Sequence, residues 1–452
     1  MQSKLRTSLA AMLATGLLLL ACQVALLDAA PLAGAQLRPA NSEVIEPGTF
    51  YGGYYTVEEI QGFLDQEVAA HPGLAEKVDF GDSWCKAHVG ACTLPELYNG
   101  YDMWAIRITN QSIAGPKPVF WVDGGIHARE IATPEVAMSY IRWLLDNYDT
   151  NADAHWLVDY HDIWVAPMIN PDGHHIVEAG GSGSNPYFQR KNANNAEGCT
   201  TWPPSTDQFG VDLNRNFPFM WNCCGGSTGE PCDPNYRGAS PASEDETRAV
   251  VAKIRELIPD QRGPNLEDLA PITTTGIYQD LHSHGRVVIY PWAHTGTATP
   301  NEADIANISK HMIALDAGGN GYPLCDHCAS IIDGSAMDWA YGELGVPSYA
   351  TELSGDSFYP PYPRVQEIWN ENRGALVYMA KIARTPYLLA KGPDANGLGA
   401  TPITVTQGAS VELTATINYN WEANAYLQNV TAAEYYVDAP PWMGGTPGPM
   451  EP

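Results

Sequence analysis

Pro118-Val-Phe-Trp-Val-Asp-Gly-Gly-Ile-His127-Ala-Arg129-Glu130 is the stretch from which the architecture can be read. Pro118 to Asp123 is a short run of large apolar residues, which suits a strand buried on both faces. Gly124-Gly125 ends it, and apolar residues at helical spacing follow from Pro134 to Leu145. A strand, a glycine turn and a helix form the repeating unit of a parallel sheet. The alternation continues on both sides. Thr56-Val57-Glu58-Glu59 is a capping box, with Ile60, Phe63, Leu64 and Val68 behind it at helical spacing. Met103 to Thr109 and Ile163 to Ile169 read as strands. Ser243-Glu-Asp-Glu246 caps a helix carrying Val250, Val251, Ile254 and Leu257, and its acidic first turn suits the helix dipole. Ile277 to Leu281, Val287 to Tyr290 and Pro347 to Leu353 are further strands. Residues 302–316 and Val365 to Arg384 are helices. The pattern predicts an α/β domain over residues 55–390, with a mixed, largely parallel sheet covered by helices on both faces.

The two ends of the chain read differently. Lys4 and Arg6 precede an apolar run from Leu9 to Ala21, and small residues follow at Ala29, Ala30, Ala33 and Ala35. This is the anatomy of a secretory signal peptide over residues 1–30, with a Pro/Gly/Ala-rich tether over 31–54. Leu19-Leu20-Ala21-Cys22 reads alternatively as a lipoprotein cleavage site, with a lipid anchor on Cys22. No other stretch is long and apolar enough to span a membrane. The pattern changes at Lys391-Gly-Pro-Asp-Ala-Asn-Gly397. Ile403, Val405, Val411, Leu413, Ala415 and Ile417 then recur with period two, predicting a small C-terminal β-sandwich module over 391–452. A full immunoglobulin-type sandwich needs about 100 residues, so the module is either minimal or truncated.

Composition removes several function classes. With 24 Lys+Arg against 52 Asp+Glu, the net charge is −28, which argues against a nucleic-acid partner. A hydrophobic share of 44%, with 13 Trp and 23 Tyr, argues against disorder. The nine cysteines have no zinc-finger spacing and point to disulfides in an oxidising compartment. Cys85 and Cys92, and Cys325 and Cys328, are close enough in sequence to pair. Cys199, Cys223, Cys224 and Cys232 cluster further along, and their connectivity stays open.

The chemistry centres on His127-Ala-Arg-Glu130, where a strand ends and a helix begins, the usual place for a site in an open α/β sheet. A His and a Glu three residues later can meet one metal if the backbone turns between them. The third ligand must come from afar, and His282 in Leu281-His-Ser-His284, at a strand end, is the candidate. Two imidazoles, one carboxylate and an open position make a catalytic zinc site. Taken alone, the pair also reads as a polar contact at a helix start.

Other segments give the pair its context. Pro167-Met-Ile-Asn-Pro-Asp-Gly173, Phe188-Gln-Arg190-Lys191, Gly210-Val-Asp212-Leu-Asn214-Arg215-Asn216, Ile289-Tyr-Pro-Trp292, Asp338-Trp339 and Thr351-Glu352-Leu353 follow in order. In this set and order the chain resembles the zinc metallocarboxypeptidase family, of the carboxypeptidase A and T types, over roughly Tyr55 to Arg384. The resemblance implies one Zn²⁺ per chain held by His127, Glu130 and His282. It implies Glu352 as general base toward the attacking water, and Arg190 as the group that polarises the scissile carbonyl and stabilises the oxyanion. Asn214 and Arg215 would grip the substrate's terminal carboxylate, Arg129 would add positive potential beyond it, and Asp212 would orient a ligand imidazole. Cys232 matches a disulfide position of the family. The 24 residues between Ala30 and Tyr55 fall short of a whole small domain, so the inhibitory pro-domain of the pancreatic enzymes is not expected before the catalytic domain.

One position departs from the family. Where its members carry a Tyr that closes over the substrate, four residues before Gly334, this chain has Ser330. Tyr322, Tyr359 and Tyr362 are the candidate replacements. His284 is a second change and reads as pocket lining. Met337, just before Asp338-Trp339, would floor the specificity pocket, with Ser335 and Ala293 small beside it. An apolar floor predicts hydrophobic C-terminal residues as substrates, while Asp333 and Asp356 keep some basic preference open. The expected protein is a monomeric, secreted or periplasmic/cell-surface carboxypeptidase acting on peptide or protein C-termini. The alternatives are a zinc amidase or endopeptidase on cell-wall peptides, and a catalytically silent peptide-binding or adhesion protein.

Overall fold

The structure is a computed structural model. It describes residues 47–451 apart from 181–184, 316–321, 326–329, 356 and 419–428, together with the backbone of Ser3–Lys4 and Thr7–Ser8. The signal-peptide and lipid-anchor readings, and the Cys325–Cys328 pairing, fall outside the described residues. By internal contacts the chain divides into two compact units, Ala40–Ala390 and the remainder.

The larger unit is built on an eight-stranded sheet. Its strands are β1 (Ala75–Asp82), β2 (Asp102–Ile108), β3 (Val119–Gly124), β4 (Asp162–Ala166), β5 (Ile277–Ser283), β6 (Val287–Ile289), β7 (Leu324–Cys325) and β8 (Ser348–Leu353). The order across the sheet is β1-β2-β4-β3-β5-β8-β6-β7. The central four strands, β4, β3, β5 and β8, are parallel; β1-β2, β2-β4 and β8-β6 pair antiparallel, and the outer β6-β7 pair is parallel. The longer helices are α1 (Val57–Ala70), α2 (Ala132–Asp146), α3 (Ala152–Tyr160), α4 (Pro171–Ala179), α5 (Asp245–Leu257), α6 (Glu302–Ala314) and α7 (Pro363–Ile382).

Strand β3 shows why the sheet is covered on both sides. Its residues are all buried, and alternate side chains enter different cores. Phe120 and Val122 pack with α1, α2, α6 and α7. Val119 and Trp121 pack with Val250, Val251 and Ile254 of α5 and with Trp339. Each such burial contributes about 1.5–3 kcal/mol. Helix α1 starts where its sequence predicts: Glu59 N–H donates to Thr56 Oγ1 and Thr56 N–H to Glu59 Oε2. Helix α5 starts one residue later than expected. Glu244 is its N-cap residue and makes no side-chain cap bond, because Ser243 Oγ donates to the Glu244 carboxylate instead of capping the turn. Phe50 and Tyr54, at the end of the stretch read as a tether, are buried in the main core.

In the smaller unit, β9 (Asp394–Thr401) and β10 (Glu412–Asn418) pair antiparallel, and β11 (Ala433–Tyr435) pairs with β12 (Gly448–Met450). Ile403 and Val405, expected on a strand, lie in the connection between β9 and β10 and are exposed.

One buried acid gives the fold a pH dependence. Glu135 on α2 accepts the backbone N–H of Tyr55 at 2.9 Å, and burial pushes its pKa from 4.5 up to about 8. The folded chain therefore keeps a proton that the unfolded chain releases. The resulting stabilisation is whole below about pH 4.5 and is lost as pH climbs to about 8. Glu178, pushed up to about 8 by burial, acts in the same direction. Glu135→Gln keeps an acceptor for Tyr55 and should remove one proton's share of the slope, about 1.4 kcal/mol per pH unit. Calorimetric unfolding at about pH 5 and about pH 8 checks this; an unchanged slope would show that Glu135 is ionised in the folded chain.

Candidate active site

The site lies at the carboxyl ends of β3, β5 and β8, where open α/β sheets place their crevices. Register fixes the three strands against one another: Gly124 pairs with Leu281, and Glu352 with His282. Past β3 the chain turns at Gly125, whose φ is +68°; a Cβ there would come within 2.7 Å of Met168 Sδ. That turn brings His127 and Glu130 back beside the end of β5.

Three donor atoms converge. His127 Nδ1 lies 2.9 Å from Glu130 Oε1, and His282 Nδ1 lies 3.2 Å from both His127 Nδ1 and Glu130 Oε2. All three residues are buried, and this set of two imidazoles and a carboxylate fits one zinc. Ser283 N–H donates to Glu130 Oε2 at 2.9 Å. Burial works against ionisation of Glu130, but the adjacent His127 and His282 outweigh it and hold the carboxyl below its usual range.

Asp212 ties the next layer together. Its Oδ1 faces His127 Nε2 at 3.1 Å, and its Oδ2 accepts Arg190 Nε and Nη2 at 3.0 and 2.9 Å. Burial opposes its charge, yet Arg190, Arg215 and His127 hold its carboxyl well below the usual range. Arg190 Nη1 reaches to 3.2 Å from His127 Nδ1, so its guanidinium borders the metal position. Asn214 and Arg215 follow on a short 3-10 turn. Asn214 Oδ1 accepts Ala336 N–H, and Arg215 donates to the carbonyls of Gly226 and Asn214, all at 2.9 Å. Gly334 has φ +68°, and a Cβ there would come within 2.4 Å of the Arg215 carbonyl, so this tight approach requires glycine.

Glu352, the penultimate residue of β8, stands in register beside His282 and is half-buried. Burial, and then the Glu130 charge, push its pKa up to about 7. Arg129 lies between the rings of Phe188 and Phe358, 4.3 and 4.2 Å from their centroids, and its Nε has no hydrogen-bond partner among the described residues. Met337 is buried with Ala293 and Ala350, with Ile289 and Ile332 against them. Asp333 is fully buried, and its Oδ2 accepts the N–H groups of Cys224 and Gly226. Asp356 lies outside the described residues.

Ser330 is exposed. The candidate phenols are engaged elsewhere: Tyr322 accepts Ser354 N–H, Tyr359 donates to the Tyr187 carbonyl at 2.9 Å, and Tyr362 packs edge-on against Tyr54. His284 is exposed, with its ring edge-on to Phe358. Among the described residues, three disulfides join Cys85 to Cys92, Cys199 to Cys232, and Cys223 to its neighbour Cys224. Sequence reasoning missed Ala350, which packs with Met337 and Ala293, and Asp280, whose Oδ2 lies 2.8 Å from His282 Nε2. The signal for Asp280 was period two: it stands two residues before His282 on one strand.

A doubly covered sheet with a buried His-Glu-His set at its strand ends is the framework of a metal-dependent hydrolase. The zinc carboxypeptidase family profile matches residues 60–375, and the chain belongs to that family. It is 28% identical over 348 residues to carboxypeptidase B of Helicoverpa zea, covering 74% of this chain and 71% of that one. It is 27% identical over 360 residues to carboxypeptidase A2 of Rattus norvegicus, covering 77% and 75%. Among solved structures, the fold is similar to that of carboxypeptidase A from Helicoverpa armigera, with TM-score 0.58, 22% identity and 74% of each chain covered. Thrombin activatable fibrinolysis inhibitor gives the same TM-score, 0.58, at 21% identity over 75% of each chain. The protein is thus a metallocarboxypeptidase acting on peptide C-termini. No helix among the described residues is long and apolar enough to cross a membrane.

Proposed function

We propose that this enzyme is exported and removes hydrophobic residues, one at a time, from the free C-termini of peptides. The observation that carries the specificity is the buried apolar group of Met337, Ala293 and Ala350, tied to Asn214 through the neighbouring Ala336 N–H, which Asn214 Oδ1 accepts. The two acids nearest in sequence to Met337 are committed elsewhere: Asp333 accepts the Cys224 and Gly226 N–H groups, and Asp338 those of Ala293 and His294. Export is supported by the signal-like leader and the three disulfides.

The residues divide the work. Asn214 and Arg215 bind the terminal carboxylate, the latter as a planar fork. Zinc, held by His127, Glu130 and His282, supplies Lewis acidity that polarises a carbonyl and acidifies water. Glu352 takes the proton from the attacking water and passes it to the departing amine. Arg190, held at its Nε and Nη2 edge by Asp212, presents Nη1 toward the developing oxyanion. Arg129 adds positive potential outside the terminal-carboxylate position.

The test uses peptides ending in Phe, Leu or Arg, each free or amidated, with products followed by mass spectrometry. Loss of single residues from free ends only, Phe and Leu ahead of Arg, is the expected result. Cleavage of amidated peptides would point instead to an amidase or endopeptidase, and absence of any turnover to a binding protein.

A further inference from the structure

Asp280 is a buried carboxylate that the division of work above leaves unused. It leaves β5 on the same face as His282 and is fully buried. With His282 Nδ1 turned toward His127 and Glu130, the ring proton belongs on Nε2 and needs an acceptor. Two groups stand near Nε2: Asp280 Oδ2 at 2.8 Å and Asn214 Nδ2 at 3.1 Å. The Asn214 amide is oriented by its oxygen, which accepts Ala336 N–H at 2.9 Å, so it shows the ring its N–H₂ side. An amide nitrogen is a donor and cannot take the proton. Asp280 is the acceptor that remains.

The carboxylate is itself supported from behind. Asp123, its register partner on β3, is also fully buried and accepts Trp121 Nε1–H at 2.6 Å. Burial, and then the Asp280 charge, hold the Asp123 carboxyl well above the usual range. The arrangement parallels Asp212 behind His127, where the separation is 3.1 Å.

We propose that Asp280 is a positioning residue of the metal centre: it accepts the Nε2 proton of His282, fixes the ring with Nδ1 toward the other ligands, and leaves the Asn214 amide protons for the substrate carboxylate. The proposal rests on His127, Glu130 and His282 being the ligand set.

Full-length wild type, Asp280→Ala and Asp280→Asn are stripped of metal. Zinc affinity is then measured by chelator competition, and the visible absorption spectrum is recorded with Co²⁺ in place of zinc. Asp280→Ala should bind zinc about 10–100-fold more weakly, the range for loss of such a partner. Asp280→Asn should lose less, because its amide oxygen still accepts the ring proton. The cobalt bands should shift in both. Affinity within about twofold of wild type, together with an unshifted cobalt spectrum, in the Ala variant overturns the proposal; if that variant does not fold, the same result in the Asn variant overturns it. A His127→Ala control separates the two claims. If that control keeps wild-type zinc affinity, the ligand set itself is wrong; if it loses zinc while both Asp280 variants keep it, only the role of Asp280 falls.

Discussion

Glu352→Gln is expected to keep its zinc and to lower turnover by about a thousandfold or more, the upper part of the range for removing a positioned general base. The substitution changes little besides the ability to take a proton. Glu352 sits on β8 in register with His282, yet it is not among the three donors that converge on the metal position. Metal content should therefore stay at one zinc per chain, while His127→Ala should lose both metal and activity. Chelation of the wild type should abolish turnover, and added zinc should restore it. Metal analysis alongside single-turnover hydrolysis of a Phe-terminated peptide makes the comparison. A Glu352→Gln enzyme that hydrolyses at the wild-type rate would show that the proton is taken by another group.

Much of this site was legible in the sequence because its signals are local. His127 and Glu130 are three residues apart at a strand-to-helix turn, and Asn214 and Arg215 are adjacent. The central strands were legible for a similar reason: β3 and β5 are buried throughout and are rich in large side chains. Strand β1 was missed because Ala-Glu-Lys-Val-Asp-Phe-Gly-Asp is an edge strand, half exposed and charged, as edges must be to avoid pairing with other chains. Ile403 and Val405 misled in the other direction, since alternation alone does not say whether a partner strand exists. The disulfides illustrate a third limit. Cys85–Cys92 follows from short spacing, but Cys199–Cys232 spans 33 residues and Cys223–Cys224 spans one, and spacing ranks neither. Ala350 was overlooked for a physical reason: it gains its meaning only from Met337 and Ala293, which the fold packs against it. Asp280 did leave a signal, two residues before His282 on one strand.

The pocket floor yields the second large effect. Met337→Asp should turn a preference for Phe into one for Arg. Met337 is 3% exposed and touches Ala293 and Ala350, so a carboxylate there would stand in apolar surroundings. The two acids nearest in sequence do not already supply such a charge to the pocket. Asp333 accepts Cys224 and Gly226 N–H groups, and Asp338 accepts those of Ala293 and His294 and faces the His294 ring at 2.7 Å. With a Phe-terminated peptide the new charge would be buried against a ring and left unpaired, which is strongly unfavourable. With an Arg- or Lys-terminated peptide it would gain a partner shielded from water. A close charge pair of this kind is worth about 2–5 kcal/mol, so the ratio of kcat/KM for Arg over Phe should rise by about thirtyfold to a few thousandfold. Most of the gain should appear in KM, because the pair forms on binding and is not specific to the transition state. Glu352 and the metal ligands are untouched, so turnover on the best substrate should persist. Steady-state kinetics on a matched pair of peptides, differing only in the last residue, reads the ratio directly. A wild-type enzyme that already favours Arg would sink the apolar-floor argument, and an unchanged ratio in the variant would place the specificity contact elsewhere.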